Sequence, residues 1–92
     1  MLKVEATIVN KLGLHARPSA KVTQLAGKFK SEVWMTKGTR RINAKSIMGV
    51  MMLAAARGAV LHIETDGPDE DEALAALMAL VQGGFGEGAA TD

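Results

Sequence analysis

Along residues 1–84 the spacing of apolar side chains switches repeatedly between a period of two and a period of about 3.6, in short blocks. Residues 2–9, LKVEATIV, set Leu2, Val4, Ala6 and Ile8 on one side and Lys3, Glu5 and Thr7 on the other, the pattern of a half-buried strand. Asn10 and Gly13 break it. From Ala16 the period lengthens: Ala16, Ala20, Val22, Leu25 and Ala26 suit a helix, with Gly27 as a left-handed stop. SEVWMTK and TRRINA read as two strands joined around Lys37-Gly38. SIMGVMMLAAA, from Ser46, is a short apolar helix, and GAVLHIET is a further strand. In DGPDEDEALAALMALVQGG, Asp69 stands three residues before Glu72 in capping-box spacing, and Leu74, Leu77, Met78 and Val81 form the buried stripe.

The element order is therefore β-α-β-β-α-β-α, without repeats or a linker. Alternating strands require one sheet face covered and one facing water. The expected fold is α+β, an open-faced β-sandwich with a four-stranded antiparallel sheet and three helices on one face. Residues 1–84 form one domain, and 85–92, FGEGAATD, are expected to fray.

Composition removes several classes of function. Eleven basic and ten acidic residues leave a net charge of +1, too little for bulk attraction to nucleic acid or anionic lipid. Aromatic residues at 3% offer no stacking platform for single strands. There are no cysteines, so disulfides, thiolate nucleophiles and Cys-based zinc sites are excluded. His15 and His62 supply at most two imidazoles, without carboxylate spacing for a metal, and no cofactor is expected. No apolar run approaches the ~20 residues of a membrane span, and MLKVEATIVN is too charged for a signal segment. A cytoplasmic protein is expected. A triad of His15, Ser46 and an aspartate would need a sheltered pocket that an open sandwich lacks.

Chemistry concentrates in GLHARPS, Gly13 to Ser19. With His15 at the N-cap, Ala16, Arg17 and Pro18 make the first turn, where proline is tolerated because first-turn amides lack intrahelical partners. The amides of Ala16 and Arg17, the helix dipole and the Arg17 guanidinium all favour an anion, and phosphate suits such a place. The dipole contributes about 0.3–1 kcal/mol, and each hydrogen bond to a charged oxygen nets about 1.5–3 kcal/mol. Two or three such contacts hold a phosphoryl group yet leave it transferable. Imidazole is the one covalent acceptor nearby, being nucleophilic near neutral pH. A capping or packing histidine beside a surface arginine explains the same spacing equally well.

GLHARPS resembles the active-site signature of the HPr family, the histidine-containing phosphocarriers of the phosphoenolpyruvate-dependent phosphotransferase system. NAKSIMGVM (Asn43 to Met51), DGPDEDEAL (Asp66 to Leu74) and the element order are similar to that family's pattern as well. The resemblance implies a phosphocarrier, not an enzyme. His15 would take a phosphoryl group from phospho-enzyme I on the ring Nδ1 and pass it to a histidine of an enzyme IIA domain. Arg17, with the Ala16 amide, would stabilise it. Sugar transport and a nitrogen-related regulatory branch both use such carriers, and a non-phosphorylated interaction module using the same face is the rival from another class. A monomer is expected.

Ser46 reads first as an N-cap for a helix beginning at Ile47. The resemblance implies a second role, regulatory phosphorylation by HPr kinase/phosphorylase, although Met52 and Ala54 replace the serine and glycine often found there. Ile47, Met48, Met51 and Met52 cannot all face the core of one short helix, so some should be exposed as a docking patch. By resemblance, Ala16, Arg17, Ala20, Gln24, Ile47, Met48 and Met51 meet donor and acceptor. Gln24 and Gly27 lack the lysines of enteric members, so a basic rim must come from Arg17, Lys21, Lys28 or Lys45. His62, Trp34 and the pair Arg40-Arg41 read as water-facing residues of the sheet.

Overall fold

The computed structural model describes residues 1–86. Its elements are β1 (Leu2–Thr7), α1 (Ala16–Ala26), β2 (Glu32–Lys37), β3 (Arg40–Asn43), α2 (Ile47–Met52), β4 (Val60–Asp66) and α3 (Glu70–Gln82), followed by a 3₁₀ turn at Gly84–Gly86. The strands form one antiparallel sheet in the order β1-β4-β2-β3, so the expected open-faced sandwich is the fold. Register carries the two-residue period across the sheet. Val4 lies opposite Ile63, Ile63 opposite Met35, and Met35 opposite Ile42, forming one row on the helix-covered face. Val33, Met35, Leu61 and Ile63 are fully buried there with Val22 of α1, Val50 of α2 and Leu77 and Val81 of α3. Each such side chain contributes about 1.5–3 kcal/mol when removed from water.

The other face bears Glu5, His62, Thr36 and Arg41 in one row, and Lys3, Glu64, Trp34 and Asn43 in the next. His62 and Trp34 thus lie on the open face as expected, and His62 Nε2 stands 3.3 Å from Glu5 Oε2. Arg41 is not merely solvated. Its guanidinium lies 4.2 Å above the Trp34 ring and meets both Glu64 oxygens at 3.4 Å, which leaves Glu64 only 8% exposed.

Several local expectations need correction. Gly27 is not left-handed: at φ −66° and ψ −15° it continues the right-handed course, and its N–H still reaches Thr23 O. Helix α1 instead unwinds through tighter bonds from Lys28 N to Leu25 O and from Phe29 N to Ala26 O. The β2–β3 turn consists of Gly38 and Thr39, since Lys37 pairs with Arg40. Helix α2 stops at Met52 and does not run on through the alanines, because Ala54 adopts φ +50°. That conformation is costly for a residue with a Cβ, about 1–2 kcal/mol. Phe85, expected to begin a frayed tail, is fully buried in the core. The rest of that tail, 87–92, lies outside the described residues.

The capping box at α3 does not form either. Asp69 occupies the N-cap, but its side chain makes no capping bond. Its carboxylate instead accepts from the Ser31 hydroxyl and N–H and from the Lys30 N–H, tying the start of α3 to the loop before β2. Glu70 takes over locally by accepting the Gly67 N–H at 3.1 Å. The turn needs glycine because a Cβ at Gly67 would lie 2.6 Å from Ser31. Ser31, by donating to the carboxylate, lowers the Asp69 pKa from 3.8 to about 2. A depressed carboxylate pKa stabilises the fold fully above 3.8, and that contribution disappears as pH falls through about 2. Asp69→Asn should therefore be less stable than the parent at neutral pH, and the gap should close over that acid window in urea titrations. A gap that stays constant down to the lower pH would contradict the assignment.

Candidate functional site

The segment ahead of α1 is built to leave little freedom. Asn10, only 2% exposed, donates its side-chain N–H to Gly13 O at 2.9 Å, replacing a backbone donor inside the loop. Leu14 is buried, and its N–H meets the Ala55 carbonyl at 2.8 Å. Gly13 sits between them at φ +66°, where a Cβ would come within 2.2 Å of Ala55 O. The connector after α2 thus presses directly on the loop that delivers His15. The sequence marked Asn10 and Gly13 as turn residues, but Ala55 carried no signal, because its contribution is a backbone carbonyl.

His15 follows as the N-cap of α1, with φ −82° and ψ −170°, and its imidazole does not cap the helix. The ring is half-buried. Its carbonyl accepts the first helical bond, from Ser19 N at 3.0 Å. The amides of Ala16 and Arg17 therefore precede that bond and have no intrahelical acceptor. Pro18, next in the turn, has no N–H to leave unsatisfied. Ala16 and Arg17 are exposed, while Pro18 and Ser19 are buried. The helix start is pinned from below, with the Ser19 hydroxyl donating to Leu14 O. An anion carried on the imidazole would meet outward N–H groups, the positive end of an eleven-residue helix and a guanidinium chain.

Helix α2 packs against α1. Ser46 is its N-cap, and the hydroxyl accepts the Gly49 N–H at 3.1 Å. Of the apolar residues on α2, Val50 is buried, whereas Ile47, Met48, Met51 and Met52 are exposed, Met48 by 68%. On α1, Gln24 is exposed and Ala20 half-buried. Two of the lysines expected at the basic rim have other work: Lys21 donates to Phe85 O and Lys45 to Phe29 O. Arg17 and Lys28 remain as exposed cations of that rim. Among the described residues no helix is long and apolar enough to cross a membrane, and no three His, Cys, Asp or Glu side chains gather as a metal site.

Known proteins share this fold and family. The family model described as the PTS HPr component phosphorylation site matches residues 2–83. The chain belongs to the HPr family. It is 64% identical over 88 residues to the phosphocarrier protein HPr of Neisseria meningitidis serogroup A, covering 96% of this chain and 99% of that one. Identity to the HPr of Cupriavidus necator is 62% over 88 residues, with the same coverage of each chain. The HPr-C-His crystal structure from Thermoanaerobacter tengcongensis superposes with a TM-score of 0.92 at 46% identity, covering 96% of this chain and 99% of that one. An HPr is a phosphocarrier protein of the phosphotransferase system and not a catalytic enzyme.

The packing of Gly13 makes a sharp prediction. Gly13→Ala should cost more than the ~1–2 kcal/mol of a left-handed alanine, because the Cβ also collides with Ala55. The amide resonances of Leu14 to Arg17 should shift with it. Gly38→Ala is the control, since φ there is +62° but a Cβ meets nothing within 4 Å. Equal costs for the two variants would show that the loop yields, and that Ala55 does not fix it.

Proposed function

We propose that His15 accepts a phosphoryl group from phospho-enzyme I and transfers it to enzyme IIA domains. In the first step a P–N bond on the donor histidine breaks as His15 Nδ1 forms one. In the second step the P–N bond to His15 breaks as a histidine of enzyme IIA takes the group. The observation that carries this reading is the imidazole at the start of α1, beside the outward Ala16 and Arg17 amides. Two or three hydrogen bonds to phosphoryl oxygens, each netting about 1.5–3 kcal/mol, make the phosphohistidine stable enough to carry and weak enough to release. Arg17 supplies a mobile full charge where the amides supply fixed partial ones. The exposed face of Ile47, Met48 and Met51, with Ala16, Ala20 and Gln24 of α1, docks donor and acceptor in turn. The carrier works as a monomer in the cytoplasm, where both partners are reached by diffusion.

Incubation with enzyme I and phosphoenolpyruvate should give an acid-labile phosphate on the parent and none on His15→Ala. Arg17→Ala should still be labelled but at roughly a tenth of the rate or less, the loss of one charged hydrogen bond. Labelling of His15→Ala would overturn the assignment of the acceptor, and an unlabelled parent would favour the interaction module.

Ser46 is the regulatory position in this reading, modified by HPr kinase/phosphorylase. A phosphate there adds about −1.5 to −2 charges at a helix start, which the fold tolerates. The same charge lies beside Ile47 and Met48 and must lose water when a partner covers them. Ser46→Asp should accordingly slow His15 phosphorylation by enzyme I while leaving the urea midpoint nearly unchanged. Equal rates for the two proteins would remove the regulatory role.

A further inference from the structure

The Ala55 carbonyl can fix Leu14 only if residues 53–56 are themselves held, and their backbone gives them little intrinsic reason to stay. Helix α2 has ended, and Ala54 sits at φ +50°, which disfavours any residue with a Cβ. Its N–H reaches back to Met51 O at 3.1 Å. The carbonyls at this end point toward the β2–β3 hairpin. Lys37 Nζ donates to Leu53 O at 3.3 Å and to Ala54 O at 3.2 Å. Arg40, its cross-strand partner, donates to Met52 O. Three successive carbonyls at the negative end of α2 are thus gathered by two cations from one hairpin. An open cavity of about 410 Å³ lies between hairpin and connector, lined by Lys37, Gly38, Thr39, Arg40, Leu53 and Ala54. Leu53 and Ala55 turn their side chains into the core, and on the hairpin side, where the cavity lies, the charged hydrogen bonds hold the connector.

We propose that Lys37, with Arg40 beside it, is a positioning residue for phosphoryl transfer at His15. Its ammonium fixes the Leu53 and Ala54 carbonyls, the connector keeps Ala54 left-handed, and Ala55 O meets the Leu14 N–H. His15, the residue after Leu14, is then presented at the start of α1 in its transfer geometry. The inference rests on the proposed role of His15. The Lys37 bonds go to the carbonyls of Leu53 and Ala54. It acts through the connector.

The test compares the parent, Lys37→Met and Lys37→Arg as full chains, each shown to be folded by its urea transition. Lys37→Met should lower the rate of His15 phosphorylation at saturating enzyme I by roughly three- to tenfold, the scale of one net hydrogen bond. KM for the carrier should stay close to that of the parent. The amide resonances of Leu14 to Arg17 should move with those of Leu53 to Ala55. Lys37→Arg, which keeps a donor to the carbonyls, should recover most of the rate and the parent shifts. Unchanged saturated rate and unchanged Leu14 to Arg17 resonances in Lys37→Met would overturn the proposal. So would a defect confined to KM, which would make Lys37 a docking residue. If the parent itself takes no phosphate, the role of His15 falls instead, and the resonances still decide whether Lys37 sets the loop.

Discussion

The hydrogen bond from the Leu14 N–H to the Ala55 carbonyl, at 2.8 Å, joins two irregular segments that secondary structure alone would leave unrelated. One segment leads into α1 and the other leaves α2. Their junction is close enough that only glycine fits at position 13. A rigid connection here matters because a group at a helix start is useful to an anion only when the outward amides and the ring face one point. The sheet below provides the base: β1 is paired with β4 along its whole length, and the flanking residues continue the link through Ile8 N to Ala59 O. The placement of His15 thus passes from sheet to connector to loop.

Around that fixed point the surface is divided by chemistry. Arg17 and the outward amides belong to the start of α1, and exposed methionines and Ile47 belong to α2. An unbranched thioether side chain adapts to differently shaped partners at little cost. That suits a protein that must meet a donor and an acceptor with one face. The open side of the sheet is assembled differently. There Arg41 covers Trp34 and Glu64, so polar groups close over an aromatic ring.

Much of this was legible in the residues. The two-residue period in LKVEATIV and the β4 segment fixed which side chains enter the core, and the change of period at Ala16 located His15 at a helix start. Ser46 was readable as a cap because its hydroxyl acts within its own turn. What was not legible depends on partners far along the chain. Asp69 looked like a capping residue beside Glu72, but Ser31, 38 residues away, competes for its carboxylate and wins. Phe85 looked like part of a tail, but it completes the core. Ala54 gave no local warning of a left-handed turn, since alanine favours helix and the cation that holds its carbonyl, Lys37, comes from a hairpin 17 residues away. The exposed face of α2 was only half legible: composition required some methionines to be outside, and the position of Val50 decided which.

The most direct measurement is the amide spectrum of the protein before and after phosphorylation by enzyme I. A phosphoryl group on His15 should draw in the N–H groups of Ala16 and Arg17, so these two resonances should shift downfield further than any others. If they stay in place while the largest changes fall elsewhere, the start of α1 does not hold the phosphate, and the account of the site is wrong.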